Sequence, residues 1–233
     1  MTKIIDKIHL TGYWIVKIRP TVFNEEKIPT LNECRKIVEH SSVLLRVWDY
    51  PHYDNNQVKN AIDFVTLEVD FMKHVEVWRQ YQSGQFVHHF ACIEDYLNRD
   101  TFSQSLSIHS PSDSGRYLSI LSSLYTLTEI FLFASRLASK QVMDPSCEIS
   151  ITLNSMKNRQ LFFFDRGRLL RRSYICDEDI LPFSKIYSIT ELMSDYASHA
   201  RIALQWFFER FNWNEITEGF FFEEQSKYLE RNV

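Results

Sequence analysis

Glycine is scarce in this chain, with five residues among 233. Loops that cradle phosphate need glycine so that the backbone can approach the anion closely. No GxGxxG or GxxxxGKS/T pattern can be written here, which argues against nucleotide binding through such loops. Cysteine is equally thin. Cys34, Cys92, Cys147 and Cys176 stand tens of residues apart with no CxxC pair. Zinc knuckles need short ligand spacings to close a tetrahedron, so no structural zinc is expected, and no other cofactor is implied. The spacing is not that of a disulfide scaffold either, and reduced thiols in a cytoplasm are the expectation. The opening residues Met1-Thr2-Lys3-Ile4-Ile5-Asp6-Lys7 break their apolar residues with charges and form no signal-peptide core. Long uncharged runs are lacking as well. Tyr117 to Leu137 comes nearest, but it carries Glu129 and Arg136. A carboxylate at the centre of a bilayer helix costs about 2.5–3.5 kcal/mol, so the stretch is expected to be a buried helix and no membrane partner is expected.

What is present is apolar and aromatic. Hydrophobic residues make up 45% of the chain and aromatics 15%, enough apolar area to build a core and to exclude a disordered assignment. Tyr13 to Arg19 alternates, with Trp14, Val16 and Ile18 on one face, and Pro20 ends the strand. Thr30 and Glu33 form a capping box for a helix whose inner face holds Leu31, Cys34, Ile37 and Val38. Strands are expected at Val43 to Asp49, Ile62 to Val69 and Gln85 to Cys92. Val75 to Tyr81 reads as strand or helix, with helix slightly favoured. Serines recur through Thr101 to Gly115, marking a loop and a soft division in an otherwise single domain of residues 1–233. Ser110-Pro111 is placed to start a long helix reaching about Ser139. Ser188 and Glu191 open another that reaches about Phe211, with Leu192, Tyr196, His199, Ala203, Trp206 and Phe207 inward. Between these helices lie candidate strands at Glu148 to Leu153, Arg159 to Asp165 and Leu169 to Ile175. The expected class is α+β, antiparallel sheet strands packed with long amphipathic helices.

Charge is unevenly spread. The chain has net charge −4, yet Lys157, Arg159, Arg166, Arg168, Arg171 and Arg172 face only Asp165, so residues 157–172 sum to +5 and the remainder to −9. Around Leu161-Phe162-Phe163-Phe164 and Gly167 this reads as a β-hairpin with a cationic tip. Guanidinium forks match phosphate and carboxylate, so the expected partner is another protein or nucleic acid with an acidic surface. Six phosphate contacts on duplex DNA would give a salt slope of roughly −5. The bland reading is that these arginines face solvent and are partly neutralised by nearby acids.

Three other sets deserve weighing. His88 and His89 with Glu94 and Asp95 have poor metal spacing, because adjacent strand residues point to opposite faces. Arg46-Val47-Trp48-Asp49-Tyr50-Pro51-His52-Tyr53 mixes aromatic walls with directed polar groups, so Arg46, Trp48 and His52 are candidates for a pocket, against ordinary packing of a strand into a proline turn. Phe220-Phe221-Phe222 after Trp213 reads as buried packing, a docking segment or a homo-oligomer contact.

Leu44 to His52 and Trp78 to Val87 together resemble stretches of uncharacterised bacterial proteins associated with Schlafen-type AlbA_2 regulators, DNA-binding by description. The resemblance covers less than a tenth of the chain, does not include the AlbA_2 domain itself and transfers no site residue. It implies a bacterial cytoplasmic origin and a regulatory or defence context. With no catalytic motif visible, the sequence points to a non-enzymatic regulatory or interaction module. The alternatives are a direct nucleic-acid binder and a hydrolase or nuclease assembled from dispersed acids and histidines, for which His88 or His89 would have to meet Glu94, Asp63 or Glu68.

Overall fold

The computed structural model describes residues 3–96, 116–143, 145–164, 168, 170–214 and 218–230. Its α+β architecture is centred on an antiparallel sheet of seven strands in the order β2-β3-β4-β5-β1-β7-β9. The strands are β1 (Tyr13–Pro20), β2 (Lys59–Asn60), β3 (Phe64–Phe71), β4 (His74–Tyr81), β5 (Phe86–Ala91), β7 (Ser146–Asn154) and β9 (Ile180–Ser188). Strands β6 (Tyr117–Ser119) and β8 (Gln160–Phe162) form a separate parallel pair. The first strand in sequence lies near the middle of the sheet, because β1 pairs with β5 on one side and β7 on the other.

One face of the sheet carries most of the core. Trp14, Val16 and Ile18 of β1 and Ile149, Ile151 and Leu153 of β7 point inward, each alternating with more exposed neighbours as a pleated strand requires. Four helices accompany this face: α2 (Leu31–Ser41), α3 (Ile120–Ser139), α4 (Ile189–Glu209) and α5 (Glu218–Glu230). The capping box at Thr30 and Glu33 is formed, with both side chains bonding the opposite backbone N–H. Ser188 caps α4 by accepting from the Glu191 N–H. Helix α3 is long and apolar enough to cross a membrane by length and composition, yet most of its side chains are buried in the core. Its cap is Ser119, nine residues after Ser110, and the expected start at Ser110-Pro111 lies outside the described residues.

The other face is covered in part by α1 (Lys3–His9), whose Ile4, Ile5 and Ile8 pack on Val75, Val77 and Ala91. This explains the main difference from the sequence reading. Val75 to Tyr81 is strand, and it reads ambiguously because both its faces are buried and the alternation is lost. Val43 to Asp49 is not a strand. A single bridge between Val43 and Tyr50 pinches it into a loop, which leaves Leu44 and Val47 exposed and turns Arg46 and Trp48 toward the interior. Among the described residues, the strand expected at Arg159 to Asp165 is reduced to β8, and the one expected at Leu169 to Ile175 to a bridge from Ile175 to Gln160; Asp165, Leu169 and the expected Arg166-Gly167 turn lie outside the described residues. Core residues come from both sides of 101–115, the segment expected as a soft division, which itself lies outside the described residues.

Candidate functional site

A cavity of about 400 Å³ opens between the inner face of the sheet and the start of α3. Strands supply Trp14, Glu76, His88 and Phe90; the loop after α2 supplies Arg46, Trp48, Asp49 and Tyr50; α3 supplies Ser123, Thr126 and Glu129. Glu94, on the 3₁₀ turn Ile93–Tyr96 that follows β5, completes the wall. The volume falls within the range of small-ligand pockets.

Its polar groups are tightly held. The Glu76 carboxylate takes His88 Nε2 at 2.8 Å and accepts from Trp48 Nε1 at 2.6 Å. Burial works against the charged form of Glu76, but the hydrogen bond and charge of His88, with the Trp48 N–H, bring it below the ordinary carboxylate range. The Trp48 ring stacks on both His52 and His74, with centroids 4.1 and 4.0 Å away. His52 Nδ1 meets Asp49 Oδ1 at 2.6 Å, and the other Asp49 oxygen accepts from the Tyr53 N–H, which fixes the loop. Deeper in, Glu129 is fully buried between Arg46 and Tyr228: Arg46 donates through two nitrogens, and the Tyr228 hydroxyl donates at 2.6 Å. Burial still raises the Glu129 carboxyl above its ordinary value despite the Arg46 charge. Glu94 accepts from the Ser119 N–H at 3.0 Å, and burial raises its carboxyl too. Three residues that line the cavity each bury a polar atom with no hydrogen-bond partner among the described residues: Tyr50 Oη, His88 Nδ1 and Ser123 Oγ.

Of the residues singled out in the sequence, Arg46 and Trp48 line this cavity, and His52 supports it from behind Trp48. His88 and Glu94 meet in the same cavity, whereas His89 points to the opposite face and Asp63 and Glu68 do not line it. The basic segment needs correction. Arg159 is wholly buried, bonded to Asp95 at 2.5 and 2.8 Å and to the carbonyls of Ser155 and Tyr117, so it is not a binding residue at the surface. Arg168 pairs with Glu224 and lies over the Phe220 ring. Arg172 reaches the Asn212 carbonyl and the Tyr174 ring, and it stays exposed along with Lys157 and Arg171. Arg166 lies outside the described residues. In the aromatic cluster, Phe221 is buried and Phe222 exposed.

Glu76, Glu129 and Ser123 stand outside every stretch singled out in the sequence as a candidate site, while Tyr50 lies within the Arg46–Tyr53 patch. The signal was present for two of them: Glu129 is the lone acid within an apolar helix, and Glu76 sits between Val75 and Val77 in a strand with no polar face. Close by, Trp78 Nε1 donates to the His52 carbonyl at 2.8 Å, which ties β4 to the loop after α2. No protein-family model matches the chain, and neither a curated protein nor a solved structure matches it.

Chemically, the arrangement suits binding. Among the described residues no hydroxyl or thiol is hydrogen-bonded to His88. No group of three or more His, Cys, Asp or Glu among them is arranged to hold a metal ion.

Proposed function

We propose that this protein is a non-catalytic module that binds a small organic ligand in the cavity beneath the 44–53 loop. One observation carries the reading. Tyr50, His88 and Ser123 each bury a polar atom with no hydrogen-bond partner among the described residues, and all three line a single aromatic-walled cavity. An unsatisfied buried donor or acceptor costs about 1–3 kcal/mol, a cost that an occupant of the space these three residues share would offset by supplying the missing hydrogen bonds. The family resemblance of the two segments that meet at His52 and Trp78 supports a regulatory setting for such binding.

The test is a calorimetric and thermal-shift screen of the full chain against small metabolites. Binders should raise the melting temperature, and Tyr50→Phe should weaken them about five- to tenfold without lowering the stability of the ligand-free protein. If Ser123→Leu fills the space and stabilises the protein while no compound binds, the cavity is a packing defect and the reading falls.

A second reading keeps an acidic macromolecular partner, protein or nucleic acid, at Lys157, Arg171 and Arg172, supported by the exposure of all three. Changing them together to Glu should abolish capture of that partner from low-salt extract. Nuclease treatment tells nucleic acid from protein, and undiminished capture by the folded variant removes the surface from consideration.

A further inference from the structure

Resting on the ligand-binding reading, we propose that the cavity selects an organic cation: a protonated amine carried on a flat apolar frame. Four carboxylates line the cavity wall, those of Asp49, Glu76, Glu94 and Glu129, against the cations of Arg46 and Lys73 and the imidazoles of His74 and His88. Arg46 is committed to Glu129, and Lys73 stands exposed at the rim. Asp49 is occupied by His52 and the Tyr53 N–H. Glu76 is paired with His88 and accepts from the Trp48 N–H, which leaves Glu94, with backbone N–H donors, the through-space charge of Arg159 and no ion-pair partner among the described residues. Taken out of water, a carboxylate without a counter-ion is unfavourable, and a cation supplied by the ligand offsets that cost.

The acids are not the only evidence. Tyr50 is 5% exposed and Ser123 3%; both residues line the same space, and the hydroxyl of each is without a hydrogen-bond partner among the described residues. The remaining wall is aromatic, with Trp14 stacked on Phe90 at an interplanar angle of 6°, alongside Trp48 and Tyr50. Such faces attract a cation through their quadrupoles and accept a flat ring by stacking. A carboxylate or phosphate entering here would meet Glu94 inside, with Arg46 already committed to Glu129 and the Lys73 ammonium out at the rim.

The experiment titrates the full chain calorimetrically with arylalkylamines of graded chain length, each beside its matched alcohol and matched carboxylate. The expected result is that the best amine binds about tenfold more tightly than its alcohol and that the carboxylates do not bind. Glu94→Gln should remove about that tenfold preference and leave the affinity for the alcohol in place. Should Glu94→Gln fail to fold, Tyr50→Phe replaces it, with a severalfold loss expected for amines. Alcohols or carboxylates binding as well as the amines would overturn the cation inference while leaving the ligand cavity standing. If no probe of any charge binds, both fall.

Discussion

A carboxyl whose proton affinity is raised by folding opposes stability at neutral pH, and Glu94 is such a group. Its folded-state value lies above the ordinary one because burial penalises the charge. The folded protein therefore holds the proton over a pH range in which the unfolded chain has lost it, and stability falls as pH rises through that range. Glu94→Gln retains an acceptor for the Ser119 N–H and removes the charge. We expect the variant to melt at a higher temperature than the parent at pH 7, with the gain shrinking as the pH is lowered toward the ordinary carboxylate range. Thermal denaturation of both proteins across that pH series checks this; a parent that is the more stable at neutral pH would contradict it. Arg159 presents the opposite case, a buried cation with its partner in place. Asp95→Ala should cost about 3 kcal/mol, the lower end for a broken buried pair, because Asp95 retains some solvent contact. Gly12→Ala should destabilise by the same route. A Cβ there would lie 2.1 Å from the Arg159 guanidinium, forcing it away from Asp95. Urea denaturation of the two single variants and the double measures the coupling, and strictly additive losses would refute a shared cause.

At the level of elements, the docking of α1 on β4 and β5 carries a titration of its own. His89 faces outward from β5, where burial brings its pKa down to about 4, helped by the charges of His88, His9, Arg79 and Lys17. Its ring lies 6.2 Å from that of His9, and each has a buried nitrogen without a partner. A base depressed by folding binds more protons unfolded than folded between the two values, so stability is complete above about 6.5 and is lost as pH falls toward about 4. We expect a loss of about 2–3 kcal/mol across that window, with the amides of α1 exchanging faster with solvent. Glu76, held below its ordinary value, adds its own loss only under about pH 4.5. His89→Leu should flatten the slope between pH 6.5 and 4.5, and an unchanged slope would show that the imidazole is not its source. The same elements show what was legible in sequence. The Thr30–Glu33 capping box, the Ser188 cap and the alternation of β1 are local devices, readable because they repeat or pair within a few residues. Strand β4 was not, since α1 from one side and the core from the other erase the period of two. The cavity was half legible. Arg46, Trp48 and His52 lie together in the chain, whereas Glu76, Glu94 and Glu129 join them only through sheet register and helix packing. The basic segment misled for a related reason: charge can be counted in a sequence, but whether an arginine will be swallowed, as Arg159 is, depends on Asp95 sixty-four residues earlier.

For the whole molecule, the place of β1 decides how the chain holds together. Everything before residue 97 contributes α1, β1 to β5 and α2, and everything after 115 contributes β7 and β9, the long helices and the β6–β8 pair. The two portions share one sheet, because β1 pairs with β7 through the register Tyr13↔Asn154 to Pro20↔Cys147. They share one core, in which Trp14 meets Phe207 and Phe86 meets Phe133. They also share the cavity, whose wall joins Glu76 and His88 to Ser123 and Glu129, and the Arg46–Glu129 pair crosses between them. A strand ladder eight residues long over a common apolar core is a much larger contact than a linker supplies. A protease recognition sequence inserted in 101–115 and cut in the native state should therefore leave two fragments that co-elute in size-exclusion chromatography and melt in a single transition. Urea should separate them, and cleavage should lower stability mainly by the entropy of a chain no longer joined. Fragments that part without denaturant, or a far-side fragment that keeps its own cooperative melting, would mean that two units fold independently and that the cavity is an interface between them.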